Sequence, residues 1–200
     1  MKKGYLYTVI FMIIMASLFT AILATAQTSM NPQIKDNREI GRQKNLLYAF
    51  NLPSGTTNEE VAATYTKYIK PDTRTIDGNV IDAYKLVDDA GATQGYAFPF
   101  SGPALWGTIK GYLSTTQDLK TIKGLTFTEQ NETPGLGGRI DEAPFKEQWR
   151  DVPMPTGDIK YGPVGDKQLD AISGATQSSN AVTKALNELK NNVISKWEVQ

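Results

Sequence analysis

The chain has 200 residues, of which 40% are hydrophobic and 21% charged, and its formal net charge is zero. This size and composition predict one globular domain with an appendage, and the balanced charge gives no indication of a nucleic-acid partner. Because the sequence contains neither cysteine nor histidine, it excludes disulfides, iron–sulfur clusters, Ser-His-Asp hydrolysis and His-bound zinc; we expect no metal site, and redox chemistry would require an organic cofactor.

The amino terminus is a long apolar stretch. An uncharged segment runs from Gly4 to Pro32, and its most apolar part, residues 5–26, has roughly the 20 residues that a bilayer-spanning helix needs. A signal peptide cleaved after Ala24-Thr25-Ala26 is the alternative, but its apolar region would be shorter. We predict an uncleaved transmembrane anchor over 5–26 in the cell (inner) membrane. Lys2 and Lys3 would keep residues 1–4 in the cytoplasm and place the main domain on the extracytoplasmic side.

A juxtamembrane helix and linker are predicted for residues 27–57. The stretch from Gln33 to Phe50 is polar and charged, with apolar residues near its end, which is typical of a helix that leaves the membrane and docks on a domain. Pro53-Ser54-Gly55 would break it. The main domain is predicted for 58–200, beginning with a short helix over residues 58–69 that Thr57 or Asn58 caps and Pro71 ends.

Short strand-like runs separated by turns follow from Ile76 onward. Asp77-Gly78-Asn79 and Asp89-Ala90-Gly91 are hairpin signals, and Ser101-Gly102-Pro103 interrupts an aromatic run. A turn at Gln117-Asp118 leads into an alternating strand, Thr121 to Thr128. Strands joined by short turns favour antiparallel pairing. We therefore predict an α+β fold: a single domain with a mainly antiparallel sheet flanked by helices, plus one amino-terminal transmembrane helix.

A glycine-rich loop, Glu132-Thr133-Pro134-Gly135-Leu136-Gly137-Gly138, follows that strand. Its glycines and proline indicate a backbone shape that ordinary side chains would obstruct. The loop is either a tight structural turn or a bare backbone surface that lies against a flat or phosphorylated ligand. After it, Phe145 and Trp149 predict a short helix, and residues 151–165 predict an irregular crossing.

The segment Asp170-Ala171-Ile172-Ser173-Gly174-Ala175-Thr176 precedes an amphipathic helix whose apolar stripe comprises Val182, Ala185, Leu186, Leu189 and Val193. Unpaired N–H groups and the macrodipole favour phosphate at a helix N-terminus. Ser178, Ser179 or Asn180 would be the N-cap. A plain capped helix is the alternative, but Gly174 and Ala175 strip bulk from the approach to Thr176, which favours a closely held ligand.

Taken together, these segments resemble the FMN-binding subunits of the Rnf and Nqr respiratory complexes, the G subunit of the former and the C subunit of the latter. The resemblance covers nearly the whole chain. It rests on the amino-terminal anchor, Leu105-Trp106-Gly107, the Glu132–Gly138 loop, and Asp170-x-x-Ser173-Gly174-Ala175-Thr176, the family's flavinylation signature. It implies that FMN is joined covalently, through a phosphoester, to Thr176. In the family a separate flavin transferase makes this bond, taking FMN from FAD with magnesium.

The resemblance also implies roles for the neighbours of Thr176. The transferase would recognise Asp170, the small residues of the signature would admit and hold the phosphate, and the glycine loop would lie against the isoalloxazine ring. The implied FMN-binding residues are Thr176, Ser173, Gly174, Ala175, Ser178, Ser179, Glu132, Thr133, Gly135, Leu136 and Gly137. Trp106 would be an aromatic neighbour of the ring, and Lys160 a contact of the phosphate or the ribityl chain.

Complexes of this family couple electron flow from NADH or ferredoxin to Na⁺ or H⁺ translocation, so the implied partners are other membrane subunits and, transiently, the flavin transferase. The chain would be an electron carrier within such a translocase, with no catalytic residue of its own. Its span carries no charged residue and would not conduct ions. Rnf or Nqr membership stays open at this point, as do a stand-alone FMN-binding electron carrier on the cell surface and a non-redox surface binding domain of the same fold.

Overall fold

One long helix forms the amino-terminal part of the chain in this computed structural model, which describes residues 2–199 and the side chains of residues 4–199. Helix α1, Lys2–Ala49, is continuous and includes Pro32. Contacts divide the chain into two compact units, Met1–Glu39 and Ile40–Gln200.

The first unit is a single helix whose apolar side chains are exposed. Phe11 is 52% exposed and Ile13 is 59% exposed, while the hydroxyls of Thr25 and Thr28 donate to carbonyl groups one turn earlier at 2.8 Å. Among the described residues, one helix is long and apolar enough to cross a membrane, and it is this one. An exposed apolar helix with internally satisfied polar groups is consistent with a membrane anchor.

Helix α2, Asn58–Tyr68, has Thr57, one of its two predicted caps, as its N-cap. The Thr57 hydroxyl accepts from the Glu60 N–H, and the Glu60 carboxylate accepts from the Thr57 N–H, both at 3.2 Å. The helix stops at Tyr68, one residue before the predicted end at Ile69. The role predicted for Pro71 is wrong, because Pro71 lies inside a strand that already begins at Ile69. That strand is at the edge of the sheet, where a residue without an N–H is tolerated.

A six-stranded antiparallel sheet in the order β1-β2-β3-β4-β5-β6 is the centre of the domain. Its strands are β1 Ile69–Ile76, β2 Asn79–Val87, β3 Thr93–Pro103, β4 Thr108–Thr116, β5 Thr121–Glu129 and β6 Val152–Pro153. Short turns join the first five, including both predicted hairpins, which confirms the α+β fold. A small second sheet, β7 Gly162–Val164 with β8 Lys167–Leu169, precedes Asp170.

The predicted interruption at Ser101-Gly102-Pro103 is wrong, because β3 continues to Pro103. Gly102 is a glycine because a helix crosses it: a Cβ there would lie 2.7 Å from the Cβ of Ala185. Since β3 and β4 stay paired to the end of β3, the chain reverses in a tight turn closed by the Ala104 N–H, which donates to the Gly107 carbonyl at 2.7 Å. This turn carries Leu105 and Trp106 at the end of the sheet.

Helices cover both faces of the sheet, and each face has its own apolar cluster. Helix α4, Thr176–Asn192, buries its predicted stripe on one face, and the other face packs against the last residues of α1 and against α2. Ala97 and Phe98, neighbours in β3, belong to different clusters, as alternating side chains of a strand must. The second cluster includes Leu46, Leu47, Phe50, Val61 and Ile69. The domain's compact unit thus begins at Ile40, within the 27–57 segment that we assigned to the juxtamembrane helix and linker.

Arg150 holds the carboxyl end of α1. It follows α3, Ala143–Glu147, and its guanidinium donates to the carbonyls of Tyr48 at 2.8 Å and Ala49 at 3.1 Å. These carbonyls belong to the last turn of a helix and have no partner within it. Hydrogen bonding from Arg150 also holds the pKa of Glu147 below its ordinary range. Arg150 therefore ties the end of α1 to the domain, together with Ser114, whose hydroxyl also donates to the Ala49 carbonyl.

Candidate functional site

The chain turns sharply just before helix α4. The Ala175 N–H donates to the Ile172 carbonyl at 3.0 Å, and Gly174 between them has φ +78°, as a type II turn requires at its third residue. The helix starts at Thr176, and its N-cap, Ala175, makes no side-chain hydrogen bond. The predicted N-cap at Ser178, Ser179 or Asn180 is therefore wrong, because the glycine turn leads the chain into the helix before these residues.

Both serines of the first turn use their hydroxyls inside the protein. Ser178 is 2% exposed and donates to the Glu132 carboxylate, while Ser179 is fully buried and accepts from the Ile172 N–H at 3.0 Å. These hydroxyls hold the surrounding loops in place. The donors left for an anion at this helix end are the backbone N–H groups of the first turn, which precede the first intrahelical hydrogen bond.

Thr176 lies in an open cleft of about 490 Å³ between the first turn of α4 and the glycine loop. Its side chain is exposed, and its hydroxyl makes no hydrogen bond within the described part of the chain. The residues that line the cleft are Leu105, Glu132, Thr133, Leu136, Gly137, Gly174, Ala175, Thr176, Gln177 and Ser178. All of them except Leu105 and Gln177 are predicted site residues. The whole lining, with Leu105, comes from three separate parts of the chain.

Gly137 allows the glycine loop to pack directly on α4. A Cβ at this position would lie 2.3 Å from the Ser178 hydroxyl oxygen and 2.7 Å from the Glu132 carboxylate, so a larger residue does not fit. The close approach that we predicted for a ligand is, at Gly137, an approach between two parts of the protein. Gly135 differs: it is exposed, has φ +74° and has nothing within 4 Å of its Cβ position.

Leu136 faces the signature turn across the cleft. It is 51% exposed, and its Cδ2 atom lies 4.0 Å from the Cβ position of Gly174. Leu105, 54% exposed, lines the same cleft from the β3–β4 turn. The Trp106 side chain, which we predicted as an aromatic neighbour of FMN, is 66% exposed and does not line the cleft. Trp106 contributes its backbone N–H, which donates to Glu132.

Five other predicted residues do not line this cleft: Gly135, Ser179, Asp170, Ser173 and Lys160. Asp170 and Ser173 are exposed and line a second depression on the other side of the signature turn, together with Arg139 and Gln148. Lys160 lines a third, proline-rich depression and is not brought to Thr176. The structure therefore separates the residue implied in transferase recognition, Asp170, from the walls of the cleft.

Gln148 is a residue of the site region that the sequence did not indicate. Its side-chain amide donates to the Asp170 carbonyl at 3.1 Å and accepts from the Asp170 N–H at 2.7 Å, as a neighbouring strand would. Tyr161 supports the next segment, since its phenol donates to the Ser179 carbonyl at 2.7 Å. Burial raises the pKa of Tyr161 above its ordinary range, which keeps this donor protonated. Neither residue belongs to a motif, and only folding brings them here.

Residues 105–191, the range that holds the β3–β4 turn, the glycine loop and the signature, match the model of the FMN-binding domain family. The C subunit of the Na⁺-translocating NADH-quinone reductase of Pasteurella multocida (strain Pm70) is 26% identical over an alignment of 225 positions. This alignment covers 89% of this chain and 86% of that protein. The G subunit of the ion-translocating oxidoreductase complex of Methanosarcina acetivorans is 32% identical over 187 residues, covering 92% of each chain.

Two crystal structures share the fold. NqrC of Shewanella oneidensis superposes with a TM-score of 0.63 at 24% identity, over 73% of this chain and 88% of that one. The C subunit of the Na⁺-translocating NADH-quinone reductase of Parabacteroides distasonis gives a TM-score of 0.68 at 23% identity, over 82% and 95%. From the match to the FMN-binding domain and the similarity to the Methanosarcina acetivorans G subunit along almost its whole length, the chain belongs to the family of FMN-binding subunits of Nqr- and Rnf-type complexes.

Proposed function

We propose that this chain carries FMN as a phosphoester on the Thr176 hydroxyl and transfers electrons as a membrane-anchored subunit of an Nqr- or Rnf-type complex. The observation that carries the proposal is the position of Thr176. An exposed threonine hydroxyl without an internal hydrogen bond among the described residues stands at the first residue of α4, in the cleft that the glycine loop closes on its other side. The same threonine ends the segment that resembles the family's flavinylation signature.

The residues of the cleft fit FMN. A volume of about 490 Å³ lies within the range of about 300–1,000 Å³ that small-ligand pockets have. Leu105 and Leu136 offer apolar walls to a flat ring, and the first turn of α4 offers N–H groups to a phosphate. A phosphodiester on Thr176 keeps one negative charge, which a helix N-terminus stabilises by roughly 0.3–1 kcal/mol at an exposed site.

Attachment would require a separate flavin transferase with FAD and magnesium. The Thr176 oxygen would bond to the flavin-side phosphorus of FAD, the bond from that phosphorus to the bridging oxygen would break, and AMP would leave. The threonine proton would pass to a base of the transferase. Asp170 is exposed and lies outside the cleft, and this position supports its role as a residue that the transferase recognises without covering the threonine.

Bound FMN supplies one-electron acceptance and donation, which no side chain of this protein provides. The first turn of α4 would hold the phosphate, Leu105 and Leu136 would limit the movement of the ring, and the covalent bond would keep the cofactor from being lost outside the cytoplasm. Residues 5–26 of α1 would anchor it in the inner membrane, with residues 1–4 in the cytoplasm and the domain on the other side. In this role the chain contributes electron transfer, and partner subunits translocate Na⁺ or H⁺.

Replacement of Thr176 tests the attachment. When the full chain is co-expressed with a flavin transferase, we expect the denatured and desalted protein to remain yellow, and we expect Thr176→Ala to be colourless. Thr128→Ala, at an exposed threonine of β5, is the matched control and should retain the flavin. A yellow denatured Thr176→Ala protein would place the attachment elsewhere, and a colourless wild type would refute the covalent carrier.

A further inference from the structure

Glu132 is a buried carboxylate in the wall of the cleft, with 4% of its surface exposed. One of its oxygens accepts from the Trp106 N–H at 2.8 Å, and the other accepts from the Ser178 hydroxyl. No Lys or Arg forms an ion pair with it among residues 4–199. Both hydrogen-bond partners are donors, which is the arrangement that an acceptor-only carboxylate requires.

These two hydrogen bonds join the three walls of the cleft. Trp106 belongs to the turn that presents Leu105, Ser178 belongs to the first turn of α4, and Glu132 itself begins the glycine loop that carries Leu136. Gly137 leaves no space for a side chain beside the pair formed by Glu132 and Ser178. The Glu132 carboxylate therefore fixes the distances between the turn, the loop and the helix.

On the basis of the proposed function, we propose that Glu132 is the positioning residue of the flavin site: it fixes the walls that hold the ring, without being a ligand of FMN. Its two oxygens are already engaged by protein donors, so its action on the flavin is indirect. The carboxylate would also place a negative charge in the wall of the flavin site. In a partly desolvated cleft this charge would disfavour the reduced flavin and lower its reduction potential.

Glu132→Gln keeps the two hydrogen bonds of this position but removes the negative charge, so it separates the two effects. In Glu132→Gln, the amide oxygen accepts from the Trp106 N–H, and the amide nitrogen donates to the Ser178 oxygen, whose own proton then turns away. In Glu132→Ala, both donors lose their acceptor and the walls are no longer joined. Ser178→Ala removes one of the two hydrogen bonds and leaves the charge in place.

The experiment uses the full chain, flavinylated by co-expression, in detergent. Covalent FMN content is measured first, then the anisotropy decay of flavin fluorescence and the midpoint potential. Glu129→Ala is the matched control, because Glu129 ends β5 just before the loop, is exposed and pairs with Lys110. We expect the rapidly rotating fraction of FMN to rise severalfold in Glu132→Ala and by less in Ser178→Ala, and to stay at the wild-type value in Glu132→Gln and Glu129→Ala. The midpoint potential should move to more positive values in Glu132→Gln alone among the variants that keep a rigid flavin.

Two results would overturn the positioning role: a rigid flavin in Glu132→Ala, and a flavin in Glu132→Gln that is as mobile as in Glu132→Ala. An unchanged potential in Glu132→Gln would overturn the effect of the charge on the flavin. If Glu132→Ala does not fold, Ser178→Ala decides, and a wild-type anisotropy decay in that variant refutes the proposal. The FMN content of the wild type separates this test from that of the proposed function, since a wild type without covalent FMN refutes the carrier itself.

Discussion

Gly137 and Gly174 are both glycines of the cleft, but for different physical reasons. Gly174 needs its φ of +78° for the turn before α4, and its Cβ position has open space around it apart from Leu136. Gly137 has no positive φ and is fixed by packing, because the Ser178 and Glu132 side chains occupy the space of a Cβ. Substitution should therefore affect stability at Gly137 through a clash.

We expect Gly137→Ala to lower the free energy of unfolding by about 1–3 kcal/mol, the usual cost of overpacking a buried site. Gly157→Ala is the control, because Gly157 is exposed and has nothing within 4 Å of its Cβ position. Urea unfolding of the two variants and the wild type measures the difference. Equal stabilities for Gly137→Ala and Gly157→Ala would show that the loop does not pack on α4 as described.

For single residues, the sequence predicted which of them line the cleft better than it predicted the interactions of their side chains. Thr176, Gly174 and the glycine loop were found because each belongs to a short contiguous pattern. The use of the Ser178 hydroxyl could not be found, since its partner, Glu132, is 46 residues away. A serine in a first helical turn looks like a cap or an anion ligand until the fold supplies a buried carboxylate beside it.

The segment before α4, residues 170–175, is held in place by hydrogen bonds from residues outside it. The Gln148 amide makes a pair of hydrogen bonds with the Asp170 backbone, the Ser179 hydroxyl accepts from Ile172, and the Gly174 turn completes the segment. These contacts fix the backbone on both sides of the turn while the side chains of Asp170 and Thr176 stay exposed.

Removal of the Gln148 clamp, the two hydrogen bonds between the Gln148 amide and the Asp170 backbone, should increase the mobility of the signature segment without unfolding the domain. In Gln148→Ala, two hydrogen bonds of about 1 kcal/mol each are lost, and we expect amide exchange at Asp170 to accelerate by at least about tenfold. Gln168→Ala is the control, because Gln168 contacts the Asp170 side chain and not its backbone. Hydrogen–deuterium exchange read by mass spectrometry makes the comparison, and equal protection in both variants would contradict the clamp.

The element boundaries that the sequence predicted wrongly share a cause. Proline and glycine usually end helices and strands, but Pro71 and Gly102 both lie inside strands. Pro71 is tolerated because β1 is an edge strand, and Gly102 is required because Ala185 of α4 crosses it closely. Both reasons depend on the position of the strand in the sheet, which local sequence does not contain. The N-cap of α2 is local, and Thr57 was one of the two residues that the sequence predicted for it.

At the scale of the whole molecule, an exposed apolar helix and a globular α+β domain share one chain. The proposed orientation places residues 1–4 in the cytoplasm and the domain outside it. Because the chain has no cysteine, single introduced cysteines report this orientation without background. Gly4 and Gly157 are suitable positions, since both are exposed with nothing within 4 Å of their Cβ positions.

We expect a membrane-impermeant maleimide to label Gly157→Cys in intact spheroplasts, and to label Gly4→Cys only after the membrane is opened. Detection is by the gel shift of the labelled chain. Labelling of Gly4→Cys in sealed spheroplasts would reverse the orientation. Loss of the chain from washed membranes, with a new amino terminus near Ala26, would instead favour the signal peptide.

Attachment of FMN to Thr176 changes the mass of the protein, and intact mass spectrometry detects that change. Full-length protein expressed with a flavin transferase should be heavier than the unmodified chain by one FMN less one water, and fragmentation of the peptide that spans residues 170–184 should place this increment on Thr176. A chain with the unmodified mass, or an increment located on any other residue, would contradict the account.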